Sequence, residues 1–125
     1  VAVQDHTIIG HALFSKISLA AAKTSGLLFG LGPVSVHPEH QQQGIGSALI
    51  QEGLTTCESS GSLGCFVLGN PTYYQRFGFR NAYQAGFWYK KDEDNRAFQV
   101  IFWGNTGQHL PRSEVRYAEA FNLAD

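Results

Sequence analysis

Residues 34–50 read VSVHPEHQQQGIGSALI, and the order of residue types in this stretch determines the expected fold. An apolar run, Leu27–Val36, is typical of a central strand that is covered on both faces. Three glutamines and Gly44-Ile45-Gly46 follow, and then apolar residues recur at the spacing of a helix over Gly44–Ser60. The stretch therefore predicts a strand, a tight glycine turn and a helix.

A strand, a glycine turn and a helix N-terminus together form a common type of phosphate site. The first N–H groups of a helix have no partner within the helix, and the helix dipole adds partial positive charge there. Glycine allows close approach because it has no Cβ atom, and glutamine amides add hydrogen bonds without charge. We therefore predict a ligand with phosphates on this loop; the alternative is that Gly44 and Gly46 only shape the turn.

Two familiar phosphate motifs do not fit the loop. The dinucleotide fingerprint requires a third glycine or alanine where this sequence has Leu49. A P-loop requires a lysine followed by serine or threonine, and the sequence has no lysine near the glycines. Neither class of nucleotide-binding protein is therefore indicated.

Composition limits the class of protein. The 125 residues fit one domain, 1–125, and 43% apolar with 15% charged residues is typical of a globular chain. The net charge is −1, without a basic patch, so we expect no nucleic-acid partner. No apolar stretch reaches the roughly 18 residues of a membrane span. Cys57 and Cys65 have neither zinc-site nor disulfide-scaffold spacing, so we expect no metal, two buried reduced thiols and a cytoplasmic location.

The rest of the chain predicts a mixed α/β (α+β) domain. Pro33 cannot donate to a strand ladder and predicts a bulge or an unpaired edge. The aromatic residues concentrate between Phe66 and Trp103, and the stretch Phe79–Trp103 is expected to serve core and interface packing, with the lining of an acceptor pocket as the alternative. The predicted elements are a hairpin (1–3 and 8–15), a loop with some strand content (16–26), a strand (64–68), a short helix capped by Asn70 (71–77), strands near 86–89 and at 97–103 joined by a solvated charged turn (90–96), and a last strand (114–117).

Two segments carry a resemblance to a known family. LGPVSVHPEHQQQGIGSALI resembles the central motif of GNAT-type N-acetyltransferases, in which [Gln/Arg]-x-x-Gly-x-[Gly/Ala] follows a strand and opens a helix; Gln41–Gly46 matches each defined position. LGNPTYYQRFGF resembles a later segment of the family, in which an asparagine precedes Tyr-x-x-x-Gly-Phe; here these residues are Asn70, Tyr74, Gly78 and Phe79. The resemblance covers roughly residues 1–83, and the closing strands look like those of a bacterial subgroup with unassigned substrates.

The resemblance implies a fold and a site. The implied fold has a mixed, mostly antiparallel central sheet flanked by helices, with two splayed central strands. The implied co-substrate is acetyl-CoA, with the loop binding its pyrophosphate and the strand backbone binding its pantetheine arm. Tyr74 matches the general acid of the family, and Tyr73 is expected to be structural. The implied cofactor-binding residues are Val34, Ser35, Val36, Gln41, Gln42, Gln43, Gly44, Ile45, Gly46, Ser47 and Asn70.

The resemblance also implies an activity. We expect transfer of an acetyl group from acetyl-CoA directly to a primary amine of a small molecule, peptide or protein, with the Val36 amide polarising the thioester. The general base is open, because Leu27–Val36 contains no carboxylate: a water chain, His37 or a residue outside this sequence could serve. The alternative is a non-catalytic acyl-CoA-binding or regulatory module, and a more distant one is a structural domain without a ligand.

The start of the sequence differs from the family pattern. The family opens with a strand and two helices before the hairpin, whereas this sequence begins at Val1 and contains no methionine. We therefore expect an N-terminally short chain, either truncated or an unusually short variant, whose uncovered sheet face or edge is buried in a homodimer or a swapped assembly. No membrane partner is expected.

Overall fold

The computed structural model describes residues 1–21 and 27–117, which form a curled eight-stranded sheet with two α-helices. The strands are β1 Ala2–Gln4, β2 Thr7–Leu19, β3 Leu28–Val36, β4 Gly64–Leu68, β5 Arg80–Asn81, β6 Phe87–Trp88, β7 Phe98–Phe102 and β8 Ser113–Tyr117; the helices are α1 Ile45–Ser59 and α2 Pro71–Tyr74. The strand order is β5-β7-β4-β3-β2-β8-β6, and β1 pairs with the first half of β2. Three short 3₁₀ turns, at Pro38–His40, Gln75–Phe77 and Thr106–His109, connect these elements.

The central strands β3 and β4 separate at one end. They pair in parallel from Leu28 opposite Gly64 to Leu31 opposite Val67, and β3 then continues to Val36 without β4 beside it. The β3–β4 and β6–β8 pairs are parallel and the other strand pairs are antiparallel. The expected fold, a mixed and mostly antiparallel sheet with splayed central strands, is therefore confirmed.

The bulge predicted at Pro33 is also confirmed. The register between β2 and β3 shifts between Ala12, which lies opposite Val34, and Phe14, which lies opposite Leu31. Gly32 and Pro33 therefore both face the single residue Leu13, so β3 carries the extra residue of a bulge. The bulge lies just beyond the last β3–β4 pair, where proline costs no ladder hydrogen bond.

Side chains alternate between the two faces of the sheet and form one apolar cluster on each. The cluster under α1 contains Leu31, Ile50, Leu54, Cys65, Val67 and Phe79. The cluster on the opposite face is more aromatic and contains Phe66, Phe87, Tyr89, Phe98 and Tyr117, with several aliphatic residues. The prediction that most of the aromatic segment is core is confirmed, although Tyr83 and Trp88 are exposed.

The structure corrects several predicted element boundaries. Strand β2 extends to Leu19 because Ile17–Leu19 pairs with β8, so the predicted loop begins too early; residues 22–26 of that loop lie outside the described residues. Helix α2 ends at Tyr74 and continues only as a 3₁₀ turn, and the two-residue strand β5 was not predicted. The long helix was predicted correctly, since α1 covers Ile45–Ser59.

The charged turn between β6 and β7 is not wholly solvated. Asp92 is buried, and its carboxylate accepts hydrogen bonds from the backbone N–H groups of Ala97 and Phe98, the latter at 2.8 Å. Three charge-assisted contacts to two backbone donors fix the entry into β7. The prediction of a purely solvated turn was therefore wrong for Asp92, because a short side chain can fold back onto its own turn.

Gly30, in the middle of β3, allows close packing of the ring of Tyr117. A Cβ atom at this position would lie 2.8 Å from Tyr117 Cζ and 3.0 Å from Ile17 Cγ2, both on buried residues. We expect Gly30→Ala to lower the free energy of unfolding by about 1–3 kcal/mol, measured by urea denaturation, because the core must shift to accept the methyl group. The control is Ser18→Ala, at an exposed position of β2, which should change the free energy of unfolding by less than about 0.5 kcal/mol. Equal midpoints of urea denaturation for Gly30→Ala and Ser18→Ala would contradict the close packing of Tyr117 on Gly30.

Candidate functional site

A cleft of about 360 Å³ lies where the predicted loop, the start of α1 and α2 meet. Within the described part of the chain, its lining contains no aspartate or glutamate, and the first turn of α1 has no acidic residue. The lining residues are Val36, His40, Gln41, Gln42, Gly44, Ile45, Gly46, Ser47, Tyr73 and Arg76. The cleft is therefore suited to a ligand with negative charge.

The N-terminus of α1 supplies unpaired backbone donors to this cleft. Gly44 is the N-cap residue, and its carbonyl accepts the first helical hydrogen bond, from the N–H of Ala48 at 3.0 Å. The N–H groups of Ile45, Gly46 and Ser47 therefore have no acceptor within the helix. No side chain of the described residues caps this end of α1, which leaves these donors and the positive end of the helix dipole to a ligand.

The loop before α1 has an unusual backbone. Gly44 has φ +79° and Gln42 has φ +66°, so two residues of the loop adopt the left-handed conformation. The side chain of Gln41 turns back toward the strand, and its Nε2 donates to the carbonyl of Val36 at 3.1 Å. Gln41 therefore ties the loop to the end of β3 and holds both sides of the cleft together.

The last residues of β3 present peptide groups that have no strand partner. Hydrogen-bonded and non-hydrogen-bonded pairs alternate along an antiparallel ladder, and the N–H of His37 donates to the carbonyl of Ile9 at 2.6 Å. The peptide groups of Val34 and Val36 therefore point away from β2 and toward the gap left beyond Leu31, where pairing with β4 ends. An extended ligand with amide groups can bind along this edge.

Two side chains that were not predicted as site residues line the cleft. They belong to the α2 segment, which comprises α2 and the 3₁₀ turn that follows it, residues 71–77. The Tyr73 hydroxyl lies 3.2 Å from the Ser47 hydroxyl, which links α2 to the start of α1. The guanidinium of Arg76 lies over the Tyr73 ring, 4.5 Å from its centroid, and Arg76 Nε donates to the Tyr73 carbonyl at 3.4 Å. Tyr73, which was expected to be structural, therefore lies in the wall of the cleft, and Arg76 adds a positive charge there.

Tyr74 lies beside this cleft rather than in its lining. Its ring is half-buried against the backbone of Gly69, directly after β4. The ring centroid lies 5.7 Å from that of Phe79 and 5.0 Å from that of Tyr73. Burial raises the pKa of the Tyr74 hydroxyl above its ordinary value of 10.0, and Tyr73 contributes in the same direction. The hydroxyl is therefore protonated at neutral pH and can act as a proton donor.

The other predicted residues have varied positions. Val34 is half-buried against the apolar cluster under α1, while Ser35 lies opposite His11 in the β2–β3 ladder. Gln43 is exposed and outside the cleft lining. Asn70 caps α2 as predicted, because its Oδ1 accepts from the N–H of Thr72 at 2.9 Å. His37, the possible base, is exposed and uses Nδ1 to accept from the N–H of Glu39 at 3.3 Å.

A second, larger groove of about 410 Å³ lies between β2 and α1. Its walls are mainly apolar, with Phe14 and Phe29 on the sheet side and Gly53 on the helix side. Of the lining residues that the structure describes, Glu52 is the one with a charged side chain, so phosphates are not expected there. Among the described residues no His, Cys, Asp and Glu side chains gather in a group that could hold a metal ion. Within those same residues, no helix has both the length and the apolar character to cross a membrane.

Comparison with known proteins agrees with this geometry. Residues 1–81 match the family model of the acetyltransferase (GNAT) domain. The chain is 39% identical over 71 residues to the uncharacterized N-acetyltransferase YjhQ of Escherichia coli K12, covering 57% of this chain and 39% of YjhQ. It is 28% identical over 123 residues to the uncharacterized N-acetyltransferase YhbS of the same strain, covering 98% of this chain and 72% of YhbS.

Two solved structures are similar over most of the chain. The crystal structure of E. coli YhbS in complex with CoA has a TM-score of 0.82 at 28% identity, covering 92% of this chain and 63% of that one. A GNAT family acetyltransferase from Brucella melitensis in complex with acetyl-CoA has a TM-score of 0.75 at 36% identity, covering 97% of this chain and 66% of that one. The chain thus spans only part of each of these relatives. From the match over residues 1–81 and the splayed sheet, we conclude that the chain belongs to the GNAT acetyltransferase family.

Proposed function

We propose that this protein is an N-acetyltransferase that transfers an acetyl group from acetyl-CoA directly to a primary amine. The observation that carries the proposal is the meeting, within the described residues, of two sets of backbone groups that have no partner in the sheet or in the helix. The open edge of β3, at Val34 and Val36, adjoins the uncapped N-terminus of α1 at the cleft. These are the groups required by a ligand with amides at one end and phosphates at the other. The relatives crystallised with CoA and acetyl-CoA support this interpretation.

Different parts of acetyl-CoA bind at the two ends of the cleft. The amides of Ile45, Gly46 and Ser47 bind the pyrophosphate, where the helix dipole favours negative charge. The peptide group of Val34 pairs with an amide of the pantetheine arm, as an additional strand would, and the Val36 N–H is left for the thioester. Gly46 lies between the two walls of the cleft, because a Cβ atom there would make ordinary van der Waals contacts of 3.7 Å with both the Tyr73 hydroxyl and Val36 Cγ2.

Two groups of the chain serve the transfer step. The Val36 N–H donates to the thioester oxygen as negative charge develops on it. The amine nitrogen bonds to the acetyl carbon, the carbon–sulfur bond breaks, and Tyr74 gives its proton to the leaving sulfur. The surplus proton of the amine goes to a base for which a water chain and His37 both stay candidates.

The acceptor class is an amine of a small molecule, a peptide or a protein. A homodimer and a cytoplasmic location stay predictions, the latter consistent with two buried free cysteines, Cys57 and Cys65.

Burial raises the pKa of both thiols, which disfavours their reactive thiolate form. A thiol reagent can therefore measure released CoA with little background from the native protein.

Calorimetric titration with acetyl-CoA tests the proposal first, followed by a thiol-release assay. We expect micromolar binding, about −8 kcal/mol, and weaker binding of pantetheine, which lacks the phosphates. The assay then compares three acceptor types: small primary amines, a lysine-containing peptide blocked at its N-terminus, and a peptide with a free N-terminus. Absence of acetyl-CoA binding would contradict the proposal and leave the glycines as turn residues. Binding without release of thiol on any amine would favour the non-catalytic module.

A further inference from the structure

We propose that Arg76 is a cofactor-binding residue that contacts the pyrophosphate of acetyl-CoA opposite the α1 amides, held in place by Tyr73. The inference rests on the proposed function and assigns a charged group to its phosphate subsite. The cleft-lining residues between Gln41 and Ser47 offer the phosphates neutral groups, namely glutamine amides, a serine hydroxyl and backbone N–H donors. A diphosphate carries negative charge that these groups bind but do not neutralise.

The position of Arg76 fits this role. It lines the same cleft as Gly44, Gly46 and Ser47, on the wall formed by the α2 segment. Among the described residues that line the cleft, Arg76 is the one arginine or lysine, and His40 contributes an imidazole. A guanidinium suits phosphate because its planar set of donors can bind two oxygens at once.

Tyr73 orients Arg76 toward the cleft. The Tyr73 hydroxyl contacts Ser47, so its ring is fixed relative to the start of α1. The Arg76 guanidinium packs on that ring, 4.5 Å from the centroid, and also lies 6.0 Å from the centroid of Phe77. In the described part of the chain, the hydrogen bond from Arg76 Nε to the Tyr73 carbonyl engages one of the five guanidinium donors. Packing on a fixed ring therefore orients the charge and leaves donors for a ligand.

The test compares Arg76→Gln with wild type in titrations of three ligands: acetyl-CoA, its dephospho form without the 3′-phosphate, and pantetheine. We expect the Kd of acetyl-CoA and of the dephospho form to rise by the same factor, about ten-fold, because one charge-assisted contact is lost. Pantetheine binding should not change. The salt dependence of acetyl-CoA binding should also become shallower, because one cation no longer meets the phosphates. Arg80→Gln, an exposed arginine outside the cleft, is the matched control and should leave all three affinities unchanged.

The outcomes separate this inference from the proposed function. If wild type binds acetyl-CoA and Arg76→Gln binds it equally well, the Arg76 assignment is wrong and the proposed function stands. A loss confined to acetyl-CoA and absent for the dephospho form would place Arg76 at the 3′-phosphate and overturn the pyrophosphate assignment. If wild type binds none of the three ligands, both ideas fail together.

Tyr73 gives a second test through a double-mutant cycle. Tyr73→Leu removes the ring under the guanidinium and should raise the Kd of acetyl-CoA, while Tyr73→Leu combined with Arg76→Gln should raise it little beyond Arg76→Gln alone. Additive effects would show that Tyr73 acts independently of Arg76 and would contradict the positioning role. Pantetheine affinity serves as the internal control, because a general distortion of the cleft would weaken it as well.

Discussion

Replacing Tyr74 with phenylalanine is expected to lower kcat about 100-fold while leaving the Kd of acetyl-CoA within about two-fold of wild type. A positioned general acid contributes about 10²–10⁴-fold to a rate, and the leaving thiolate needs a proton when the carbon–sulfur bond breaks. The ring of Tyr74, which packs on Gly69 and Phe79, is retained in the variant, so the fold should be maintained. Steady-state kinetics by thiol release, with calorimetry for binding, measure the two effects separately.

The control for this variant is Tyr83→Phe. Tyr83 is 53% exposed and lies outside the cleft lining, so the loss of its hydroxyl should change neither kcat nor Kd. If Tyr74→Phe retained full turnover, the acid assignment would be wrong. If wild type bound acetyl-CoA without transferring the acetyl group, and Tyr74→Phe bound it equally well, the non-catalytic module would be the better interpretation.

The pH dependence of kcat gives a related measurement on the wild-type enzyme. Burial, with a contribution from Tyr73, raises the pKa of Tyr74 above 10.0. Tyr74 must be protonated to act as the acid. Loss of the proton from its hydroxyl therefore reduces kcat only as the pH rises through the raised pKa. We therefore expect no decline of kcat attributable to Tyr74 below about pH 10. A basic limb near pH 8 would have to come from another group.

The sequence was most informative where local chemistry alone determines structure. The glycine loop and α1 were predicted within a residue, since Gly44 has a left-handed backbone that glycine adopts readily and apolar residues recur at helical spacing after it. The bulge at Pro33 was predictable because proline cannot donate to the ladder. Asn70 was recognised as a cap because it is followed by proline at the first helical position.

The residues that were missed depend on contacts between distant segments. Ser47 and Tyr73 are 26 residues apart, and no periodicity within α2 indicates that the Tyr73 hydroxyl reaches the start of α1. Arg76 was overlooked for the same reason, although its spacing of three residues from Tyr73 would place both on one helix face. The end of β2 was assigned to a loop because its pairing partner, β8, lies almost a hundred residues later in the sequence.

Replacing Gly44 with glutamate is expected to raise the Kd of acetyl-CoA by about 100-fold or more, measured by calorimetry. A carboxylate beside the α1 amides would face the pyrophosphate, and like charges ~4 Å apart repel by about 4 kcal/mol at an effective dielectric of about 20. The matched control is Gly61→Glu, at the other end of the same helix. Gly61 has φ +87° against +79° for Gly44, and a Cβ atom at either position meets no atom within 4 Å. Both variants therefore carry the same backbone strain, while only Gly44→Glu places charge in the cleft. Similar weakening by both would attribute the effect to strain and contradict the phosphate site; a selective loss in Gly44→Glu would support it.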